Sequence, residues 1–250
     1  MSCASCSNDE TIEDLQLNGL KLIQKKNAFR FGMDTVLLAH FADIRINDVV
    51  ADIGSGNGAL IFLLYGRQKG QYYYALDIQQ QACDLVKKNL LLNKMENLAT
   101  VINADALEAA SFIIPCSVDA VVCNPPYGQP DASLSSPCMS KAIARNQSPE
   151  TIDHLLKGAF MILKGKGRIY LIYPASQMLF IMKKLEQYHL EPKRFRLVYP
   201  YVYKAANLVM IEAVKDAKPM LHPMAPLIIY EKDGSLTNEL KSVYHIKEQT

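Results

Sequence analysis

Asp48-Val49-Val50-Ala51-Asp52-Ile53-Gly54-Ser55-Gly56-Asn57-Gly58-Ala59 is followed without a gap by Leu60-Ile61-Phe62-Leu63-Leu64-Tyr65. The first apolar run has the length of one strand, and its lack of alternation fits a strand covered on both faces, as in a parallel sheet. Glycine supplies the left-handed backbone of a tight turn and lets a ligand approach the main chain closely. The apolar run after the turn reads as a helix whose first amides face that ligand. Strand, glycine turn and helix, in this order, predict the opening unit of an α/β fold with its site at the carboxyl ends of the strands.

The turn by itself fits two cofactor classes, because Gly54-x-Gly56-x-x-Ala59 also satisfies a dinucleotide fingerprint. Asp52 separates them. A carboxylate entering the turn repels a pyrophosphate but attracts a cationic amino-acid moiety, which favours S-adenosylmethionine over NAD. Working outward, Gln71 to Asp77 reads as a second strand ending in an acid, at about the spacing where a carboxylate meets ribose hydroxyls. Ile78 is placed to flank an adenine. A helix over 80–93 returns across the sheet, and Ala99 to Asn103 reads as a third strand. Asp105, just beyond it, either accepts from an adenine amino group or caps the segment starting at Ala106.

The fourth strand starts at Asp119 and stops at Asn124-Pro125-Pro126-Tyr127. Paired prolines hold the chain extended and remove two backbone donors, so neither ladder nor helix continues. Asn124 offers an amide oxygen, the prolines leave carbonyls as acceptors, and Tyr127 offers a flat face. Such a clamp suits an amino group on a planar substrate.

Upstream, residues 1–11 read as a disordered tail, and 11–27 as a short strand or hairpin. A helix covers Val36 to Ile44, capped by Asp34 or Thr35. Downstream, Gly128 to Cys138 is a glycine-, proline- and serine-rich loop. Ser148-Pro149 starts a helix to Leu163, and Lys164 to Gly167 turns into a fifth strand, Arg168 to Tyr173. A helix spans 176–189, followed by two antiparallel strands, 194–200 and 207–214. Leu227 to Tyr230, an Asp233-Gly234 turn and a helix near 236–244 close the chain. Between Lys157 and Lys204 ten basic residues face two acids, Glu186 and Glu191, interleaved with tyrosines. Lys193, Arg194, Arg196, Tyr201, Tyr203 and Lys204 are therefore candidate contacts to phosphates and bases of RNA.

The bulk of the chain is ordinary: 250 residues, 50% hydrophobic, 21% charged, net charge +2. That balance excludes a disordered polyelectrolyte and confines any nucleic-acid affinity to local patches. No apolar run is long enough to span a bilayer and no leader is visible, so a cytoplasmic protein without membrane association is expected. Cys3-x-x-Cys6 has no second pair at zinc spacing, the histidines show no ligand spacing, and no metal is expected.

The pairing of Asp52 to Gly58 with Asn124 to Tyr127 resembles the class I S-adenosylmethionine-dependent methyltransferases, in the branch that methylates amino groups. Asn18-Gly19-Leu20-Lys21, Phe29-x-Phe31-Gly32-x-Asp34-x-x-Leu37-Leu38-Ala39 and Pro226 to Gly234 bring it nearest to the bacterial tRNA(Val) adenine-N6 methyltransferases. The chain departs from that group at Ala144-Arg145-Asn146-Gln147, where such proteins usually carry Ala-Arg-His-Glu. The resemblance implies a Rossmann-like seven-stranded sheet, mostly parallel with an antiparallel last strand and helices on both faces. It implies a lead-in over 1–28, a methyltransferase domain over 29–214 and an extension over 215–250. Asp52, Gly54, Ser55, Gly56, Asn57 and Gly58 would hold the methionine end of S-adenosylmethionine, which leaves as S-adenosylhomocysteine. Asp77 and Ile78 would hold the ribose and flank the adenine, and Asp105 with Ala106 the adenine. Asn124, Pro125, Pro126 and Tyr127 would present an adenine N6 amine of RNA, such as tRNA(Val) beside its anticodon. A glutamine-N5 methyltransferase acting on a protein, or a non-catalytic RNA-binding protein of the same fold, are the alternatives.

Overall fold

The computed structural model describes residues 9–26, 32–125 and 149–246. Residues 9–26 hold an antiparallel hairpin of β1 (Glu10–Asp14) and β2 (Lys21–Lys25), in which Ile12 faces Ile23. The expected tail thus gives way to ordered strand one residue before its boundary. Helix α1 (Met33–Phe41) follows, then β3 (Val49–Ile53), α2 (Ala59–Gly66), β4 (Tyr72–Asp77), α3 (Gln80–Leu92) and β5 (Ala99–Asn103). A 3-10 turn at Ala106–Glu108 leads through α4 (Ala109–Phe112) to β6 (Val118–Cys123). The remainder comprises α5 (Pro149–Ile162), β7 (Leu163–Pro174), α6 (Met178–Gln187), β8 (Leu190–Tyr201), β9 (Leu208–Lys215), β10 (His222–Pro223), β11 (Leu227–Tyr230) and α7 (Asn238–Val243).

The main sheet runs β10-β8-β9-β7-β6-β3-β4-β5, with β11 also on β8. Its seven long strands are those expected, and β9 is the one reversed, antiparallel to both β7 and β8. The count rises to nine because the C-terminal segment adds two short strands along the outer edge of β8. β10 pairs at Arg194 and Phe195, and β11 from Val198 to Tyr201. A second difference lies in β7. The turn expected at Lys164 to Gly167 is a bulge inside one strand, because Leu163 pairs with Val118 but Arg168 already pairs with Ala120. Lys166 takes φ +65° to loop the extra residues out.

Alternation within the strands builds two cores. Val50, Val122, Tyr170 and Ile172 face α1, α2, α7 and the hairpin, while Ala51, Val121, Ile169 and Leu171 face α4, α5 and α6. Both faces are covered, so the strand interiors are mostly apolar, with Asp52 in β3 and Glu212 in β9 as buried carboxyl groups. Helix α2 is buried from Ala59 to Leu64, which explains its apolar residues on every side. Strand β3 has β4 then β5 on one side and β6 then β7 on the other. The order of the chain reverses there, so a crevice opens beyond the tips of β3 and β6. Among the described residues, no helix is long and apolar enough to cross a membrane.

Candidate active site at the strand tips

Asp52 is the next-to-last residue of β3, in register with Ala75 of β4 and Val122 of β6. Asn124 lies two positions past Val122, so Asp52 and the start of the Asn-Pro segment share one edge. Past Ile53 the main chain turns through Gly54 (φ +78°), Gly56 (φ +57°) and Gly58 (φ +81°), a region that L side chains enter only with strain. The turn is fastened to the neighbouring strand: Gly54 N donates to Leu76 O at 2.8 Å, and Gly56 N to Asp77 Oδ2 at 2.9 Å. A Cβ built on Gly54 or Gly56 meets nothing within 4 Å, so these two present bare backbone. Gly58 differs, since a Cβ there meets Phe62 at 3.2 Å and Val86 at 3.4 Å.

The two carboxylates are treated differently. Asp77 accepts from Gly56 N through Oδ2 and from Gln79 N through Oδ1, both at 2.9 Å. Burial raises its pKa, and these backbone donors pull it back. Asp52 is pushed up to about 7, first by burial, with the charge of Asp77 adding to the rise. The Ser55 hydroxyl opposes that shift without meeting ordinary hydrogen-bond geometry, since Asp52 Oδ2 and Ser55 Oγ are both buried with no hydrogen-bond partner. A buried carboxylate oxygen lacking a donor, beside bare glycine backbone, is chemically matched to a cationic ammonium. The amino-acid end of S-adenosylmethionine therefore fits the residues present.

At the tip of β5, Asp105 caps the 3-10 turn by accepting from Leu107 N at 2.8 Å, and His154 Nδ1 of α5 lies 3.0 Å from the same oxygen. Capping, one of the two roles open to Asp105 from sequence, is the one the local geometry displays. Ala106 opens that turn, and its carbonyl is in such close approach to Gly158 that a Cβ there would sit 1.9 Å from it. Ile78 is 60% exposed.

Asn124 is half-buried and donates from Nδ2 to Thr35 Oγ1 at 3.0 Å. The expected cap of α1 shifts accordingly. Gly32 holds the cap position, and Asp34 and Thr35 sit in the first turn, where Asp34 Oδ1 accepts from Thr35 N at 2.8 Å. Pro125 is buried. Pro126 and Tyr127, with the Ala144 to Gln147 departure and Cys3 and Cys6, lie outside the described residues.

Sequence reasoning missed Thr35 as an Asn124 partner, His154, Gly158 and Asn89. Asn89 is fully buried in α3. Its Oδ1 accepts from Ile23 N at 2.6 Å, and its Nδ2 donates to Ile23 O and Asn57 O. It thereby ties the hairpin to the glycine turn, whose Asn57 lies 32 residues before Asn89 in the chain. Asn57 itself reaches Gln24 Oε1 at 3.2 Å.

The expected RNA contacts divide. Arg194 pairs with Glu212 and lies 4.8 Å over the Phe41 ring, Arg196 pairs with Glu239, and Lys193 donates to Lys218 O. Those three are engaged by other parts of the chain, whereas Tyr203 and Lys204 are exposed. Tyr201 and Tyr203 stack with centroids 5.3 Å apart. Because β8 runs parallel to β7 and β6, this pair lies past the same sheet edge as Asn124. Among the described residues no group of three His, Cys, Asp or Glu is placed to hold a metal ion.

The family described as "Methyltransferase small domain" matches residues 30–189. A protein of Bacteroides thetaiotaomicron named tRNA1(Val) (adenine(37)-N6)-methyltransferase is 30% identical over 170 residues, covering 68% of this chain and 70% of its own. A protein of the same name from Parabacteroides distasonis is 28% identical over 228 residues, covering 90% and 89%. Among solved structures, one described as a predicted O-methyltransferase from Agrobacterium tumefaciens superposes with a TM-score of 0.68 at 21% identity, covering 85% of this chain and 96% of that one. TYW2 of M. jannaschii in complex with AdoMet gives a TM-score of 0.56 at 17% identity, covering 83% and 86%. At these identities the structural likeness establishes the fold.

Proposed function

The chain belongs to the methyltransferase small domain family and is an S-adenosylmethionine-dependent methyltransferase, and from this premise we propose that it methylates the exocyclic N6 amine of an adenine in tRNA. The single observation carrying the proposal is the orientation of Asn124. Its amide nitrogen is engaged by Thr35, which leaves the amide oxygen as an acceptor at the strand tip beside the glycine turn. The names of the relatives from B. thetaiotaomicron and P. distasonis support adenine N6 and tRNA.

In this reading Asp52 and residues 54–58 hold the amino-acid end of the cofactor, Asp77 holds the ribose and Ile78 flanks the adenine. Asp105 and Ala106 hold the adenine. The bound cofactor supplies a methyl group on a positively charged sulfur. The amine needs orientation more than a base, because its lone pair is delocalised into the ring. Accepting both N6 hydrogens at Asn124 Oδ1 and the Pro125 carbonyl draws the nitrogen toward tetrahedral geometry and aims that lone pair. The proton becomes acidic only after transfer and passes to solvent. Tyr127 stacks on the flipped base, and Tyr203 and Lys204 contact the RNA further along the edge. With a tRNA substrate, the cytoplasm is the compartment we propose for it.

Incubation with labelled cofactor and unmodified tRNA, followed by nucleoside analysis, tests the proposal. Label in N6-methyladenosine is expected, and label in a protein glutamine instead overturns it. Asn124→Ala should lower kcat at least a hundredfold, on the order found when one preorganised polar group is removed, with the Kd for S-adenosylhomocysteine within about twofold.

A further inference from the structure

We propose that Thr35 is a positioning residue which, held by Asp34, fixes the orientation of the Asn124 side-chain amide. The inference rests on the reading of Asn124 as the acceptor of the substrate amine. An amide side chain has two nearly isosteric orientations, one presenting oxygen and the other nitrogen. Only the first can accept from an amine. The second sets donors against donors, so the clamp works to the extent that the orientation is decided before substrate arrives.

Thr35 Oγ1 lies 3.0 Å from Asn124 Nδ2 and bridges 89 residues of chain, from the first turn of α1 to the tip of β6. A hydroxyl alone cannot decide the matter, because it donates or accepts according to its neighbour. Asp34 removes that freedom. Its Oδ1 lies 3.5 Å from Thr35 Oγ1 and is held beside it by Thr35 N at 2.8 Å. A carboxylate only accepts, so the hydroxyl hydrogen turns toward Asp34 and the oxygen lone pairs face Asn124. The amide must then donate from Nδ2, and Oδ1 is left for the substrate. Thr35 is 5% exposed, which limits the access of water to its hydroxyl. Asp34 thus sets the hydroxyl, and the hydroxyl sets the amide.

The test uses the full chain with S-adenosylmethionine and tRNA. Thr35→Val keeps the shape and removes the hydroxyl. It should lower kcat about tenfold, the weight of one hydrogen bond's orientational preference, with the KM for tRNA and the Kd for S-adenosylhomocysteine within about twofold. Thr35→Ser should restore most of the activity. Asp34→Ala, which removes the acceptor beside Thr35 Oγ1 and frees the hydroxyl hydrogen to face Asn124, should lower kcat in the same sense. In an Asn124→Ala background, Thr35→Val should add no further loss, because the group it orients is gone. If Thr35→Val lowers the unfolding midpoint, Thr35→Ala must show the same kcat loss at a temperature where it is folded. An Asn124→Ala enzyme that is inactive beside a fully active Thr35→Val enzyme overturns the relay and leaves the clamp standing. An active Asn124→Ala enzyme overturns both.

Discussion

Replacing Asp52 by asparagine should make the free protein more stable at alkaline pH while destroying its hold on the cofactor. Asp52 is 3% exposed, and its carboxyl is pushed up from 3.8 to about 7, chiefly by burial. The folded state therefore binds this proton more tightly than the unfolded chain does. The stability contributed by the proton is fully present below about pH 4 and is lost as pH rises through about 7. By pH 8 the ionised group costs up to about 4 kcal/mol, three units at 1.36 kcal/mol each. Asparagine removes that cost but buries an amide without a partner, at about 1–3 kcal/mol. The net gain at pH 8 is about 2 kcal/mol, or roughly 5 °C in Tm for a chain of this size, and it reverses to a loss at pH 4. Binding should follow the opposite course, since the cationic amino group of the ligand needs the ionised carboxylate. Between pH 7 and 5.5 the ionised fraction falls from about one half to about one thirtieth, so the Kd for S-adenosylhomocysteine should rise roughly fifteenfold. The ligand's own amino group stays protonated across that range. Scanning calorimetry of the free protein and titration calorimetry with S-adenosylhomocysteine measure the two arms. A Kd independent of pH in the wild type, or an Asp52→Asn protein that binds as tightly as wild type, would refute the reasoning.

Two further substitutions probe the supports of the site. Gly158→Ala places a methyl group 1.9 Å from the Ala106 carbonyl oxygen, so α5 must back away from the turn that follows Asp105. It should cost about 3 kcal/mol, the upper range for overpacking, and weaken cofactor binding as well; an unchanged melting temperature counts against the close approach. Asn89→Ala leaves the Ile23 amide and two carbonyls without their partner in a buried position. A loss of about 2–4 kcal/mol is expected, with faster hydrogen exchange at Ile23 than in the sheet centre, and protection equal to wild type would show that the hairpin is held by other contacts.

The parts legible in the sequence were those whose signal is local. The strand, glycine turn and helix at Val49 to Gly66 could be read because apolar continuity and left-handed glycines act within a few residues. The antiparallel pair β8 and β9 followed from a short linker. The bulge in β7 was misread as a turn, since Gly165 and Gly167 break a strand pattern whether the chain reverses or merely loops out one side. The edge strands β10 and β11 exist only because β8 leaves donors and acceptors unpaired along its outer side, which no window of sequence can display. The surroundings of the basic cluster were hidden for the same reason. Arg194 and Arg196 read as phosphate contacts, and Glu212 and Glu239 reach them from distant segments to pair with them, while the Phe41 ring lies under Arg194.

The acids at the strand tips show where pattern ends and geometry begins. Asp52, Asp77 and Asp105 look alike in the sequence, each placed at or just past the end of a strand. The fold gives Asp77 two backbone donors, Asp105 a backbone amide and a histidine, and Asp52 Oδ2 no donor at all. A carboxylate that the protein satisfies shapes the scaffold as well as facing the crevice, and one left partly unsatisfied in a buried place calls for a ligand to complete it. On the proposed reading Asp52 is therefore the residue whose charge state the cofactor controls. Asp77 also shapes the turn through Gly56, and Asp105 also holds the 3-10 turn that carries Ala106 against α5. The same distinction explains the pairing at Asn124. Its nitrogen is satisfied by the protein, and on the proposed reading its oxygen is left for the substrate amine, so that two different molecules would complete the two ends of the crevice.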